Sequence, residues 1–177
     1  MRALGVLALI FYAIHAAVHL HRGQPYHALW ACHVAALLVG FGLLLRNATL
    51  NAIGLLWSAF GLSLWLLDIA TGGEFIPTST LTHAGAFALG LYGVRVLGTP
   101  RRLALKTVAA FVALCVLCRL VTPPELNVNL AFRVADGWTP YFPSYPLYVA
   151  MLLAALTAMC VVAQWLLARV TRAEAAA

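Results

Sequence analysis

The chain has 177 residues, is 64% hydrophobic and only 9% charged, and carries a formal net charge of +6 at pH 7. Soluble domains contain about a quarter charged residues, so this composition excludes an ordinary water-soluble domain. The positive charge indicates no nucleic-acid partner, because membrane orientation and lipid headgroups account for it, and the expected partners are membrane lipids.

Six apolar stretches follow one another along the chain, each close to or above the roughly 18 residues that cross a bilayer. They cover about residues 2–20, 27–45, 49–70, 81–98, 103–122 and 144–169. The first stretch has no obvious signal-peptide cleavage site, so we expect it to be a retained helix. The sequence therefore predicts an all-α integral membrane bundle with six spans, forming a single domain over residues 1–177.

Basic residues concentrate at one side of this predicted topology. With six spans, both termini and the turns at 46–48 and 99–102 share that side, whose arginines are Arg2, Arg46, Arg101, Arg102, Arg169 and Arg172. The positive-inside rule then predicts that both termini are cytoplasmic. We expect a bacterial inner membrane protein whose opposite, periplasmic or extracellular, side receives the unusual polar residues.

The stretch from His15 to His33 holds five of the six histidines and one of the four cysteines. In helix 1, His15 and His19 lie on one predicted inward face, whereas His21 and His27 belong to a wet outer loop and His33 opens helix 2. In helix 3, small and polar residues form one stripe: Asn51, Gly54, Ser58, Gly61, Trp65 and Asp68. Such stripes pack membrane helices together, so we expect Asp68 to point inward.

The first chemistry that these residues could support is thiol nucleophilic catalysis. Cys32 would attack as a thiolate, and a neighbouring histidine would take its proton. His33 points roughly 100° away from Cys32 on a helix, so His83 from another helix is the better partner, with Asp68 orienting its ring. The other cysteines, Cys115, Cys118 and Cys160, lie inside predicted spans and are expected to be small buried hydrophobes.

The second chemistry is a metal site. His15 and His19 are four residues apart, a spacing that lets two imidazoles share one ion. His27, His83 or Asp68 would complete a catalytic zinc site or a di-metal centre, such as di-iron. Two histidines from helix 1 and from helix 2 or 4 could instead hold a haem. Hydrogen bonding between helices is the structural alternative for His15, His19 and His33.

Four short motifs resemble the YwaF-type multi-pass membrane family, which includes a eukaryotic ether-phospholipid acyltransferase. They are ALWACHVA around Cys32, EFIPTSTLTHAG ending beside His83, NVNLAF at 127–132 and FPSYPLYV at 142–149. The resemblance implies that Cys32 is an acyl-accepting nucleophile and His83 its base, with Asn127 or Asn129 polarising the carbonyl. The histidine-rich first helix is outside what the resemblance explains.

The leading hypothesis is therefore a membrane-embedded lipid acyltransferase or acyl hydrolase that needs no cofactor. Its predicted catalytic residues are Cys32, His83 and Asp68, supported by His33, Asn127 and Asn129. The alternative is a metal-dependent hydrolase or oxidoreductase that uses zinc, iron or haem at His15, His19, His27, His83 and Asp68. A non-enzymatic carrier or assembly partner is the third class.

Overall fold

The structure is a computed structural model that describes the backbone of residues 1–176 and the side chains of residues 1–169. Its helices are α1 (Arg2–His21), α2 (Ala31–Leu44), α3 (Ala48–Ala70), α4 (Ala86–Leu97), α5 (Leu103–Val121) and α6 (Tyr145–Ala176). A π-helical turn at Leu81–Gly85 leads directly into α4, and short 3-10 turns occupy Pro25–Leu29, Pro124–Leu126, Val128–Leu130 and Thr139–Tyr141. The described residues contain no strand, which confirms the all-α prediction.

Within the part of the chain that the structure describes, four helices are long and apolar enough to cross a membrane. They are α1, α3, α5 and the part of α6 from Tyr145 to Arg169, with mean hydropathy between 1.7 and 2.2 over their best windows. The helix α2 has 14 residues, or about 21 Å, which is less than the roughly 30 Å of a hydrocarbon core. It is shorter than predicted because residues 25–29 form a 3-10 turn that begins at Pro25.

Glycines on facing helices bring α1, α2, α3 and α4 close together. A Cβ added at Gly54 of α3 would lie 2.7 Å from the carbonyl oxygen of Ala35 in α2. A Cβ at Gly5 of α1 would lie 2.7 Å from the carbonyl oxygen of Gly40, also in α2. Small residues allow this approach in membrane proteins, where dispersion contacts between backbones replace hydrophobic burial as the packing force.

The stripe predicted on α3 is buried in its first part and exposed at its end. Asn51, Gly54, Ser58 and Gly61 are buried, but Asp68 is exposed, so its predicted inward orientation is wrong. A Cβ at Gly61 would overlap Cys32, so residue 61 is level with the start of α2. Asp68 lies seven residues further along α3, about 10 Å beyond that level, where α2 no longer covers it.

The helices α5 and α6 form the other side of the bundle. The rings of Trp57 in α3 and Phe111 in α5 meet edge to face, with centroids 6.3 Å apart. Cys118 and Cys160 are fully buried and Cys115 is partly buried, and all four cysteines are free thiols. This agrees with the expectation that these three cysteines act as small hydrophobes.

We predict that Gly54→Ala destabilises the protein by about 1–3 kcal/mol, the usual cost of adding a methyl group to a tightly packed interior. The new Cβ would meet backbone atoms of α2 at 2.7 and 2.8 Å, and backbone cannot move aside as a flexible side chain can. Thermal unfolding in detergent would measure the effect. Ser63→Ala, on the exposed face of α3, is the control and should leave the melting temperature unchanged. Equal melting temperatures for both variants would contradict this packing.

Candidate metal centre

Four buried histidines meet where the end of α1, the start of α2 and the π-helical turn before α4 come together. They are His15, His19, His33 and His83, and none is more than 7% exposed. His19 lies in the last turn of α1, His33 in the first turn of α2 and His83 in the turn before α4, so the cluster lies near one end of the bundle. Turns of π-helix occur often at functional sites, and here the turn carries His83.

Three of these imidazoles converge through the same ring atom. The Nε2 atom of His15 lies 3.1 Å from Nε2 of His33 and 3.2 Å from Nε2 of His19. Two nitrogens bound to one tetrahedral zinc ion at about 2.0–2.1 Å would be about 3.3 Å apart. Two of the three separations therefore match those between ligands of one ion, and the ligand atoms of all three residues, which we call the His15/His19/His33 triad, lie within 4.8 Å of one another.

The outer ring nitrogens of the triad are held by polar groups of the surrounding chain. Nδ1 of His33 donates to the carbonyl oxygen of His27 at 2.8 Å. Nδ1 of His15 lies 2.9 Å from the hydroxyl oxygen of Thr78, and Nδ1 of His19 lies 3.4 Å from Oε1 of Gln24. Metal-binding histidines almost always have such outer partners, which fix the tautomer and turn the other nitrogen toward the ion.

The protonation of the triad favours a cation at its centre. With Nδ1 of His33 and of His19 donating outward, the neutral rings of both residues turn unprotonated Nε2 atoms toward His15. A proton on Nε2 of His15 could be donated to only one of them, which would leave the lone pair of the other without a partner. A bound cation satisfies all three nitrogens at once.

A second group shares His33 with the triad. The ligand atoms of Cys32, His33 and His83 lie within 4.8 Å of one another. Nδ1 of His83 donates to the carbonyl oxygen of Ser79 at 2.8 Å, so its Nε2 is free to accept a proton. The ring of Trp65 stacks on His83 with centroids 5.2 Å apart. Within the described residues no hydrogen bond joins Cys32 to His83, although the two predicted partners are neighbours.

Other residues from the sequence hypotheses lie outside both groups. The exposed Asp68 belongs to neither group, and His21 is exposed as well. His27 is partly buried, with its ring centroid 5.2 Å from that of His19. His27 contributes its carbonyl oxygen, not its ring, to the outer partners of the triad.

Asn127 and Asn129 have hydrogen bonds that organise the backbone. Oδ1 of Asn129 accepts from the N–H of Ala31 at 2.7 Å, and its Nδ2 donates to the carbonyl oxygen of Leu29 at 2.8 Å. Oδ1 of Asn127 accepts from the N–H of Phe132 at 3.0 Å. Both asparagines adopt left-handed backbone angles, with φ of 45° and 55°, which asparagine tolerates better than most residues. Asn129 thereby fixes the start of α2, next to Cys32 and His33.

The loop between α3 and the π-helical turn covers the triad and supplies a partner that the sequence analysis missed. Thr78 of this loop contacts His15, and Arg22 at the end of α1 forms a 2.9 Å ion pair with Glu74 of the same loop. The sequence pattern also assigned His33 to the start of helix 2, apart from the inward face of His15 and His19. In a helical hairpin, residues that are equally far from the turn lie at the same level along the two helices. Gln24, inside the turn, is midway between positions 15 and 33, so the sequence does contain a signal that places His15 and His33 side by side.

Comparisons of the chain with protein-family models, with curated proteins and with solved structures give no match. The resemblance to the YwaF-type family therefore stays a prediction that depends on short motifs around Cys32 and His83. The assignment of the site accordingly depends on its own geometry.

We predict that Asn129→Ala lowers stability by about 1–3 kcal/mol, since it leaves the N–H of Ala31 and the carbonyl oxygen of Leu29 without their partner. Thermal unfolding in detergent would measure the loss. The comparison variant is Asn47→Ala, which removes the exposed N-cap of α3 and should cost less, about 1 kcal/mol or below. A smaller loss for Asn129→Ala than for Asn47→Ala would contradict the role of Asn129 as the residue that fixes α2.

Proposed function

We propose that the protein is a metal-dependent membrane hydrolase in which the His15/His19/His33 triad binds one ion, zinc being the best fit. The observation that carries the proposal is the convergence of three buried Nε2 atoms at 3.1 and 3.2 Å. Three protein ligands with an open fourth position are typical of catalytic zinc, whereas structural zinc has four protein ligands.

The donor set favours zinc over the other cofactors in the sequence hypotheses. Non-haem iron oxygenases use two histidines and a carboxylate, and the exposed Asp68 supplies no carboxylate to the triad. A haem would have to place its porphyrin plane between two axial imidazoles. The 3.1 Å separation of the His15 and His33 nitrogens is too small for that plane.

The neighbours of the triad suit hydrolysis. Zinc lowers the pKa of a bound water to about 7, which makes it a nucleophile at neutral pH. His83, whose ring centroid is 5.7 Å from that of His33, has a free Nε2 to accept the proton of this water. A water held at the open position would give one proton to Nε2 of His83 and add to the ester carbonyl, and the leaving alcohol would take that proton back as its bond to the carbonyl carbon breaks. The products would be an alcohol and a carboxylic acid, which releases its remaining proton to water.

The place of the site in the bundle suggests the substrate class. The triad lies near the end of α1, one of the four helices that are long and apolar enough to span a membrane. The ester groups of membrane lipids lie near the ends of such helices, between the headgroups and the hydrocarbon. We therefore propose lipid esters as substrates.

The same proposal includes a topology. The shorter helices α2 and α4 would cross together with their flanking turns, giving six spans with both termini in the cytoplasm. Arg2, Arg46, Arg101 and Arg102 then lie on the cytoplasmic side, as the positive-inside rule requires. The triad would face the outer side of a bacterial inner membrane.

We predict that the purified full-length protein binds about one zinc ion per chain after zinc loading and removal of excess metal. His33→Ala should lower the zinc content at least tenfold, because it removes one of the three proposed ligands. Elemental analysis would measure the content. His21→Ala, at an exposed histidine two residues beyond the triad, is the matched control and should keep its zinc.

A second variant separates loss of the ion from loss of the fold. Thr78→Val keeps the shape of the side chain but removes the hydroxyl beside Nδ1 of His15, and it should weaken zinc binding about 10–100-fold. Hydrolysis of a fluorogenic phospholipid ester should fall in parallel with zinc content and return when zinc is added. Zinc content that is equal in the wild type, His33→Ala and Thr78→Val would overturn the proposal.

The proximity of Cys32, His33 and His83 supports a second candidate, acyl transfer through Cys32. Its sulfur would add to the ester carbonyl, release the alcohol with a proton carried by His83, and pass the acyl group to another lipid hydroxyl or to water. This candidate predicts that Cys32→Ala lowers turnover at least 100-fold and that an acyl group can be detected on Cys32 by mass spectrometry.

The matched control is Cys160→Ala, at a fully buried cysteine of α6 that belongs to neither histidine group. The zinc proposal predicts that Cys32→Ala and Cys160→Ala both retain zinc and turnover. Loss of turnover in Cys32→Ala alone, with zinc content unchanged, would identify the thiol as the reacting group.

A further inference from the structure

An apolar cleft lies between α5 and α6, on the other side of the bundle from the histidines. Its walls come from Val112 and Val116 of α5 and from Val149, Leu152 and Leu153 of α6. These side chains give the cleft an almost entirely hydrocarbon lining along both helices. Apolar clefts that converge on a few polar groups are the usual form of small-molecule sites in proteins.

Arg119 closes one end of this cleft. Its guanidinium carbon lies 5.7 Å from the ring centre of Tyr145 and 5.8 Å from that of Phe132, so two aromatic rings hold it in place. The hydroxyl of Tyr145 donates to the carbonyl oxygen of Ala131 at 2.6 Å, which fixes that ring in turn. Among the described residues no carboxylate pairs with Arg119, whereas Arg22 and Arg133 both have acidic partners.

The positions along α5 match the layers of a bilayer. Arg119 lies in the last turn of α5, a helix long and apolar enough to span the membrane, so its charge reaches the headgroup layer. Val112 lies seven residues deeper, about 10 Å toward the hydrocarbon centre. The cleft therefore offers a cation at headgroup level and an apolar channel beneath it.

We propose that this cleft binds one anionic phospholipid, with its phosphate on Arg119 and one acyl chain between α5 and α6. Charge complementarity identifies the occupant, since a fixed guanidinium without a carboxylate partner suits a phosphate, which it can bind through two hydrogen bonds. A zwitterionic lipid carries a cationic group in its own headgroup, which already neutralises the phosphate, so it gains less binding free energy from Arg119. Asn129 also lines the cleft and fixes the start of α2, so the bound lipid lies against the residue that supports the histidine cluster.

Native mass spectrometry of the full-length protein in detergent tests this site with two lipids, phosphatidylglycerol and phosphatidylcholine. The wild type should retain one phosphatidylglycerol in preference to phosphatidylcholine. Arg119→Gln should lower phosphatidylglycerol retention about tenfold or more, the loss expected from removing a charge-assisted hydrogen bond. Arg133→Gln, at an exposed arginine already paired with Asp136, is the matched control and should retain the lipid.

A second variant tests the apolar part of the site. Leu152→Trp fills the cleft and should reduce retention of both lipids while leaving zinc content unchanged. The lipid-site proposal and the metal-site proposal can therefore be contradicted independently of each other. Equal retention by the wild type, Arg119→Gln and Leu152→Trp would overturn the proposal. An equal loss in Arg119→Gln and Arg133→Gln would also overturn it, because it would show only diffuse attraction to basic side chains.

Discussion

The four buried imidazoles of His15, His19, His33 and His83 need hydrogen-bond partners, and the packing of α1, α2 and the turn before α4 provides them. Polar rings inside a membrane bundle are costly unless each nitrogen has a partner. The fold supplies three outer partners to the triad: Gln24 and the carbonyl oxygen of His27 in the α1–α2 turn, and Thr78 in the loop before α4. The inner nitrogens have only one another, and this shared deficit is what an ion would resolve.

The short length of α2 follows from the same arrangement. Its first residues must place His33 opposite His15, and the 3-10 turn that begins at Pro25 brings the carbonyl oxygen of His27 to the ring of His33. Asn129 then fixes this start through the backbone of Leu29 and Ala31. Glycines such as Gly54 and Gly61 let α3 lie against α2 at van der Waals distance. The close packing of these helices therefore also brings the histidines into contact with one another.

Much of the fold is predictable from the sequence because hydropathy directly reflects the apolar environment of membrane helices. All six helices lie where apolar stretches occur, and the spacing of His15 and His19 places their rings on one face. The orientation of Asp68 was mispredicted because a stripe on one helix does not reveal where its neighbour ends. The contact between His15 and Thr78 spans 63 residues and depends on how a loop folds back, which local patterns do not encode.

Zinc K-edge X-ray absorption of the zinc-loaded protein would show whether three histidine nitrogens bind one metal ion. We expect a first shell with three imidazole nitrogens at about 2.0–2.1 Å and no sulfur. The His33→Ala variant should lose this signal. A sulfur ligand at about 2.3 Å would instead place the ion on Cys32, and a spectrum of hydrated zinc alone would show that the triad binds none; either result would contradict the account.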